Sequence, residues 1–267
     1  MNVKPFVSRR FGLRELEVAK SLRRAVFVAV AAALTCLSLS AADLSRNSLG
    51  MRFAEIPAGS FDMGSTIGPG EGPVHRVSVG RFWMGVTEVT QAQWQAVMGS
   101  NPSHFKQAGP DAPVEMVTWN DVQAFIRRLN AREADRRYRL PSEAEWEWAC
   151  KGGGGPDPYG PPADIAWIKE NSGGTTHPVG QKRPNAFGLY DMFGNVSEWC
   201  EDTYFHGYDG APVDGSARKG DPAARHTLRG GGWDLPAFFI HAALRGPYDP
   251  IHRLGFRLVC VSVRQPS

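Results

Sequence analysis

Residues 139–147 read RLPSEAEWE, and residues 194–199 read GNVSEW. In the first stretch, Ser142 and Glu145 have the spacing of a capping box, in which each side chain bonds the other residue's backbone N–H. This pattern predicts a short helix that carries Trp146. In the second stretch, glycine and asparagine, which favour tight turns, are separated by two residues from a carboxylate and a tryptophan. Together they indicate short elements and turns that are anchored by large aromatic side chains.

Elements with clear start and stop signals lie on both sides of these stretches. Thr90 with Gln93 forms another capping box, with Gly99 as the stop, and Thr118 is predicted to cap an amphipathic helix whose apolar residues recur every three or four positions. Alternation and β-branched or aromatic residues predict strands at residues 53–57, 59–64, 74–79, 82–84 and 255–261. Between Gly152 and Leu228 the sequence predicts mainly irregular structure.

The composition is that of a loop-rich globular protein. The chain has 267 residues with 30 Gly, 20 Pro and 8 Trp, which favours turns held by buried rings over a helical bundle. A net charge of +3 gives no reason to expect a nucleic-acid partner. No composition break divides residues 43–267, so we predict one domain there.

The N-terminus has the pattern of a secretory signal peptide. Basic residues up to Arg24 precede an uncharged run at 25–40 and small residues at 40–42. We predict a signal peptide at 1–42, a periplasmic or secreted mature protein, and no transmembrane helix after cleavage. The Arg9–Arg10 pair leaves both general secretory and twin-arginine export open.

Three cysteines remain in the predicted mature chain, namely Cys150, Cys200 and Cys260. Export makes a disulfide chemically possible, but an odd number leaves at least one of them without an intramolecular partner. The spacing is not that of a metal site. Buried thiols or a single bridge are the two interpretations that the sequence favours.

Eight blocks in a fixed order carry a resemblance to a known family. They are IPAGSFDMG (56–64), VTEVT (86–90), PVEMVTW (113–119), RLPSEAEWE (139–147), NAFGLYDM (185–192), GNVSEW (194–199), LRGG (228–231) and LGFR (254–257). In these blocks the chain resembles the sulfatase-modifying-factor, or formylglycine-generating-enzyme, family. The resemblance implies an α+β, C-type-lectin-like mixed fold with few short strands, about three helices and many ordered loops.

The resemblance does not extend to the family's copper site. Catalytic members oxidise a sulfatase cysteine to formylglycine with copper held by two cysteines, because soft thiolates suit monovalent copper. Here Leu235 and Ile240 stand where the cysteines belong, and no cysteine lies between Cys200 and Cys260. Copper is therefore not expected, and no catalytic residue is assigned.

The family also implies a structural calcium ion. Carried over by position, its ligands are Asp191, the backbone carbonyls of Gly194 and Val196, and Glu198. Calcium prefers several oxygen ligands, which a turn with two acids can supply. The alternative is an ordinary turn whose acids face water.

The segment after Gly232 supplies candidates for a ligand groove. They are Trp233, Asp234, His241, Arg245, Tyr248 and His252, which follow one another around the family's active-site segment. They offer aromatic contact and charge to a peptide or small ligand. The alternative for His241 and Arg245 is a structural role, with the histidine in the core and the arginine bonded to carbonyls or carboxylates.

Two functions from different classes remain. The first is a non-catalytic accessory protein that binds a periplasmic protein or peptide partner, for example in a type VI secretion or kinase signalling pathway. The second is a periplasmic oxidase or tailoring enzyme of the pyoverdine-maturation type. A true formylglycine-generating oxidase acting on sulfatases is the third and least favoured reading, because the thiolate pair is missing.

Overall fold

The computed structural model describes residues 45–262 except 134, 222, 248 and 249. Those residues belong to one compact unit with short strands, short helices and long ordered connections. The predicted signal peptide at 1–42 and the groove candidate Tyr248 lie outside the described residues. Within the described part, no helix is both long enough and apolar enough to span a bilayer.

Four α-helices are present in the described chain: α1 Gln91–Met98, α2 Trp119–Arg132, α3 Glu143–Cys150 and α4 Pro162–Ile165. The three predicted capped helices are confirmed, with Thr90, Thr118 and Ser142 as N-caps of complete capping boxes. Helix α1 ends at Gly99, whose φ of 88° is the left-handed conformation of a glycine stop. Helix α4 was not predicted, because four residues starting at a proline carry no periodic signal.

The described residues contain ten strands, which form three sheets. The strands are β1 Phe53–Ile56, β2 Gly59–Met63, β3 His75–Val79, β4 Phe82–Gly85, β5 Arg136–Arg139, β6 Ser197–Thr203, β7 His226–Arg229, β8 Arg245–Gly246, β9 Leu254–Gly255 and β10 Val259–Ser262. Their orders are β1-β4-β10-β5, β2-β3 and β8-β7-β6-β9. Among the strand pairs of the described residues, β6–β9 is parallel and the others are antiparallel. The predicted α+β fold with many ordered loops is confirmed.

The predicted closing strand at 255–261 is wrong as a single element. Strand β9 pairs with β6, whereas β10 pairs with β4 and β5, so the chain leaves one sheet and enters another between them. Arg257 lies at this crossing, fully buried, with its guanidinium bonded to several loops. A β-propensity pattern cannot report such a change of sheet.

Strand β6 was missed because its sequence, SEWCEDT, has no period-two alternation. Pairing with β7 on one side and β9 on the other buries polar as well as apolar side chains, so burial does not follow the alternation rule. This strand nevertheless forms the centre of the sheet that supports the candidate site.

Candidate functional site

The segment that corresponds to the family's copper site is packed with aliphatic side chains. Leu235 lies directly on Gly231, since an ideal Cβ on that glycine would be 2.4 Å from Leu235 Cδ2. Ile240 is buried in a core cluster, 5% exposed. A cavity of about 160 Å³ remains, lined by Ser197, Leu228, Arg229, Gly231, Leu235, Leu244, Arg245 and Gly246. No lining side chain offers a thiolate, so the cavity does not fit monovalent copper.

A larger, open cleft of about 550 Å³ lies beside this cavity, and Leu228 lines both. The Trp119 and His226 rings stack in parallel, with centroids 3.8 Å apart and an interplanar angle of 4°. The cleft is lined by Thr118, Trp119, Asn120, Trp199, Ala223, Ala224, Arg225, His226, Leu228, Pro247, Ile251 and Leu254. Its size falls in the usual range of ligand pockets.

The polar atoms of the cleft's aromatic residues are directed inward. Trp119 Nε1 donates to the carbonyl of Cys200 at 3.1 Å, and Trp199 Nε1 donates to the carbonyl of Val117 at 3.0 Å. Burial lowers the pKa of His226, which favours the neutral form of its ring. The aromatic surfaces of the cleft are therefore apolar, and they suit an apolar or aromatic group of a partner.

The predicted groove candidates divide into two groups. Trp233 packs edge-on against Phe105, at a centroid distance of 5.3 Å, and lies 5.9 Å from the ring of His252. Asp234 forms an ion pair with Arg253 in the same region. The structure brings these three candidates together.

His241 and Arg245 form the second group and have structural contacts. His241 is 9% exposed, with Nε2 3.6 Å from a carboxylate oxygen of Glu71. Arg245 binds both oxygens of Glu143 and donates at 2.8 Å to the carbonyls of Gly70 and Phe205. The structural alternative therefore describes both residues.

A buried ionic network fixes β7 beneath the cavity. Arg229 is 1% exposed and donates to Glu143 at 3.0 Å, to Glu147 at 2.9 Å, to the Tyr208 hydroxyl at 2.9 Å and to the carbonyl of Ala242 at 2.6 Å. The nearby arginines overcome burial and hold the pKa of Glu143 below its usual value. Because α3, β7 and the 240–245 segment share this network, the cavity walls have one fixed arrangement.

The predicted calcium loop has the backbone of a tight turn. Asp191, Gly194 and Asn195 have φ angles of 54°, 73° and 54°. A side chain at Gly194 is excluded, because its Cβ would lie 2.1 Å from the carbonyl oxygen of Trp167. Asp191 Oδ2 accepts from Gly180 N at 2.6 Å, while Oδ1 is buried and has no hydrogen-bond partner among the described residues. The loop therefore offers one free carboxylate oxygen to a cation.

Glu198 is fully engaged by the protein. Its Oε1 accepts from Arg257 at 2.6 and 2.9 Å, and its Oε2 accepts from Arg257 and from Trp146 Nε1 at 2.6 and 2.7 Å. Both residues are buried. The alternative of acids that face water is thus wrong for Asp191 and Glu198.

Glu88 is a buried acid that no pattern in the sequence indicated as a site residue. It is 1% exposed, and neither carboxylate oxygen has a hydrogen-bond partner within the described chain. Burial, and then the charges of Asp191 and Glu198, raise the pKa of Glu88 well above its usual value. In the described residues, no group of three or more His, Cys, Asp or Glu side chains has an arrangement that would hold a metal ion.

The three cysteines of the described chain are free and buried. Burial raises the pKa of the Cys150 and Cys200 thiols well above the usual value, and that of Cys260 to about 12. The interpretation as buried thiols therefore describes all three, and the single bridge is not formed.

The chain matches a known protein family over most of its length. Residues 44–261 match the model of the sulfatase-modifying factor enzyme 1-like domain. The chain belongs to this family. The predicted resemblance is confirmed, and the match covers all but the last of the described residues.

Two relatives illustrate the range of proteins to which the chain is similar. The chain is 34% identical over 187 residues to the chaperone protein LppX of Paenibacillus barcinonensis, covering 49% of this chain and 65% of LppX. It is 31% identical over 207 residues to the serine/threonine-protein kinase Pkn1 of Chlamydia trachomatis serovar L2, covering 67% of this chain and 32% of Pkn1. The chain therefore spans less than two thirds of either relative.

A solved structure matches over nearly its full length. PvdO from Pseudomonas aeruginosa superposes with a TM-score of 0.70 at 30% sequence identity, covering 80% of this chain and 95% of PvdO. The formylglycine-generating-enzyme-like fold of this chain is shown by that match together with the family model.

Proposed function

We propose that this protein is an exported, non-catalytic accessory protein that binds a protein or peptide partner through the open cleft around Trp119 and His226. The observation that carries the proposal is the contrast between two neighbouring cavities. The cavity at the copper position is small and has no thiolate in its lining, whereas the adjacent cleft is larger and is lined by the rings of Trp119, Trp199 and His226. A site that keeps a binding surface but lacks the thiolate ligands is suited to recognition.

The relatives support a role beyond sulfatase modification. The domain is shared with a protein named as a chaperone and with one named as a protein kinase. In both, this chain matches only part of the relative's length. We infer that the partner belongs to a periplasmic signalling or secretion system, in which a binding domain of this kind is useful without chemistry of its own.

Export is part of the proposal. The basic segment up to Arg24 and the uncharged run at 25–40 favour cleavage near Ala41 or Ala42. N-terminal sequencing of the protein from the periplasmic fraction tests this. Recovery of the intact N-terminus on protein from the cytoplasmic fraction would contradict it.

A structural calcium ion is also proposed. The buried, unpartnered Oδ1 of Asp191 and the tight turn at Gly194–Asn195 fit a cation that prefers oxygen ligands. Such an ion, when bound, would supply positive charge to a buried acidic region and fix the loop. Glu198 fits this role less well than Asp191, because Arg257 and Trp146 already bind its oxygens.

A second candidate is a tailoring enzyme of the pyoverdine-maturation type. The match to PvdO favours it, since 95% of that protein is covered and the two chains therefore share the whole domain. The two candidate functions assign different roles to the cavity around Leu235 and to the neighbouring cleft. An enzyme converts a compound bound there, whereas an accessory protein retains its partner unchanged.

The experiment that tests the accessory role uses a cleft-blocking variant. Ala223 is exposed and lines the cleft, so Ala223→Trp fills the cleft without removing a core contact. Ala96→Trp, at an exposed position of α1 outside the cleft, is the matched control. A photo-crosslinking residue at Asn120, in the cleft rim, should trap a discrete partner in the periplasm in the wild-type and Ala96→Trp backgrounds only.

Two results would contradict the accessory role. Crosslinks of equal strength in the Ala223→Trp background would show that the cleft is not the binding site. Formylglycine in a sulfatase-derived cysteine peptide, detected by mass spectrometry after incubation with the purified protein, would show that the chain is an oxidase.

A further inference from the structure

Glu88 has the least satisfied carboxylate in the described chain. It is 1% exposed, and both carboxylate oxygens are buried without a hydrogen-bond partner among the described residues. Buried polar groups nearly always have a partner, because an unpaired buried acceptor costs about 1–3 kcal/mol and a charged one costs more. The carboxylate of Glu88 therefore calls for a partner that the protein chain does not supply.

The backbone places Glu88 next to the calcium loop. On one side, Tyr190 N donates to the carbonyl of Val86 at 2.9 Å, which sets the 86–88 segment beside Asp191. On the other side, Val89 N donates to the carbonyl of Phe256 at 2.9 Å, next to Arg257. Glu88 thus lies between the two segments that carry the other buried charges of this region.

The positive charge in this region is already committed. Arg257 binds Glu198 through three hydrogen bonds of 2.6 to 2.9 Å. Its guanidinium also donates to the carbonyls of Gly85, Tyr190 and Asp191 at 3.0 to 3.2 Å. One arginine and Glu198 therefore neutralise each other. The carboxylate oxygens that remain without a partner in this region are the two of Glu88 and Oδ1 of Asp191.

We propose that Glu88 and Asp191 together are the acidic ligands of the calcium ion, and that Glu198 serves to hold Arg257. Backbone carbonyls of the 191–196 turn complete the coordination, since calcium takes six to eight oxygens from mixed sources. This inference rests on the proposed calcium ion and changes which acids hold it.

Two isosteric substitutions separate this ligand set from the one carried over by family position. Glu88→Gln removes the charge and keeps the shape, so it should raise the calcium dissociation constant at least about tenfold. Glu198→Gln should lower the melting temperature, because Arg257 loses its charged partner, but should leave calcium affinity within about threefold of wild type. Both are measured on the full mature protein by titration calorimetry with calcium alone, and by melting with calcium or chelator.

The matched control is Glu115→Gln, a buried acid whose oxygens accept from the backbone N–H groups of His104 and Phe105. It should lose stability and keep the calcium response. If Glu88→Gln does not fold, Glu88→Asp keeps the charge but retracts the carboxylate, and it should also weaken calcium binding.

The outcomes separate the two proposals. If wild type binds no calcium after exhaustive chelation and re-addition, the calcium proposal and this inference are both wrong. If wild type binds calcium and the Glu88 variants bind it equally well, only the inference is wrong. Loss of calcium binding in Glu198→Gln but not in Glu88→Gln would restore the family's ligand set.

Discussion

Replacement of Arg229 by methionine should destabilise this protein strongly, although Arg229 lies outside the apolar core. The guanidinium is buried and donates to two carboxylates, one hydroxyl and one carbonyl. Breaking a buried ion pair typically costs about 3–5 kcal/mol, because the partner charge is left uncompensated. In the variant, Glu143 would still pair with Arg245, and Glu147 would still pair with Lys151. We therefore expect the free energy of unfolding to fall by about 3 kcal/mol, the lower end of that range.

The loss is measurable by urea unfolding and by calorimetry. For a domain of this size, about 3 kcal/mol lowers the melting temperature by about 6–12 °C. The control is Arg76→Met, which breaks an exposed pair with Asp62 whose side chains are 63% and 68% exposed and should cost less than about 1 kcal/mol. A loss below about 1 kcal/mol for Arg229→Met as well would refute the reasoning that the buried network fixes β7 and the cavity walls.

Three further predictions follow from single sites. Gly194→Ala should lower the free energy of unfolding by more than about 3 kcal/mol, and Gly99→Ala by about 1 kcal/mol, because both glycines have positive φ but only a Cβ at position 194 would meet a carbonyl. Chemical denaturation of both variants measures the difference, and equal losses would contradict the steric argument. Burial and the charge of Glu143 raise the pKa of Asp202 to about 7, so the native state binds a proton at Asp202 more tightly than the unfolded state does. The free energy of unfolding should therefore fall as the pH rises from about 4 to 7. Asp202→Asn should flatten this pH dependence in urea titrations, and an unchanged pH dependence would contradict the prediction. The three buried cysteines should not react with a thiol reagent at pH 8 until the protein is unfolded, which a colorimetric assay with and without urea checks.

The sequence by itself determined the local elements that have a start and a stop. The capping boxes at Thr90, Thr118 and Ser142 define three helices, because a cap involves only residues three positions apart. Likewise, the motif blocks predicted the family and the fold, and the absence of a cysteine near Leu235 predicted, without any coordinates, that copper is not bound there. Each of these features depends only on which residues are present and on how far apart they lie along the chain.

Only the tertiary structure decided how distant polar residues meet. Strand β6 reads as irregular because it is buried on both sides by strands that come later in the sequence. Arg245 and Glu143 are 102 residues apart, and Trp119 stacks on a histidine more than a hundred positions away. Nothing in a local pattern indicates such pairs, since burial of a charge depends on which partner the fold supplies.

The same reason explains the acids around the turn at 191–198. Spacing and family position indicate Asp191 and Glu198 as a pair, but the buried guanidinium of Arg257 takes Glu198, and the unpartnered acid comes from Glu88. The sequence determined that carboxylates are available here. Which of them remains free for a cation depends on three-dimensional neighbours, because each buried carboxylate is satisfied by whichever donor lies within hydrogen-bond distance.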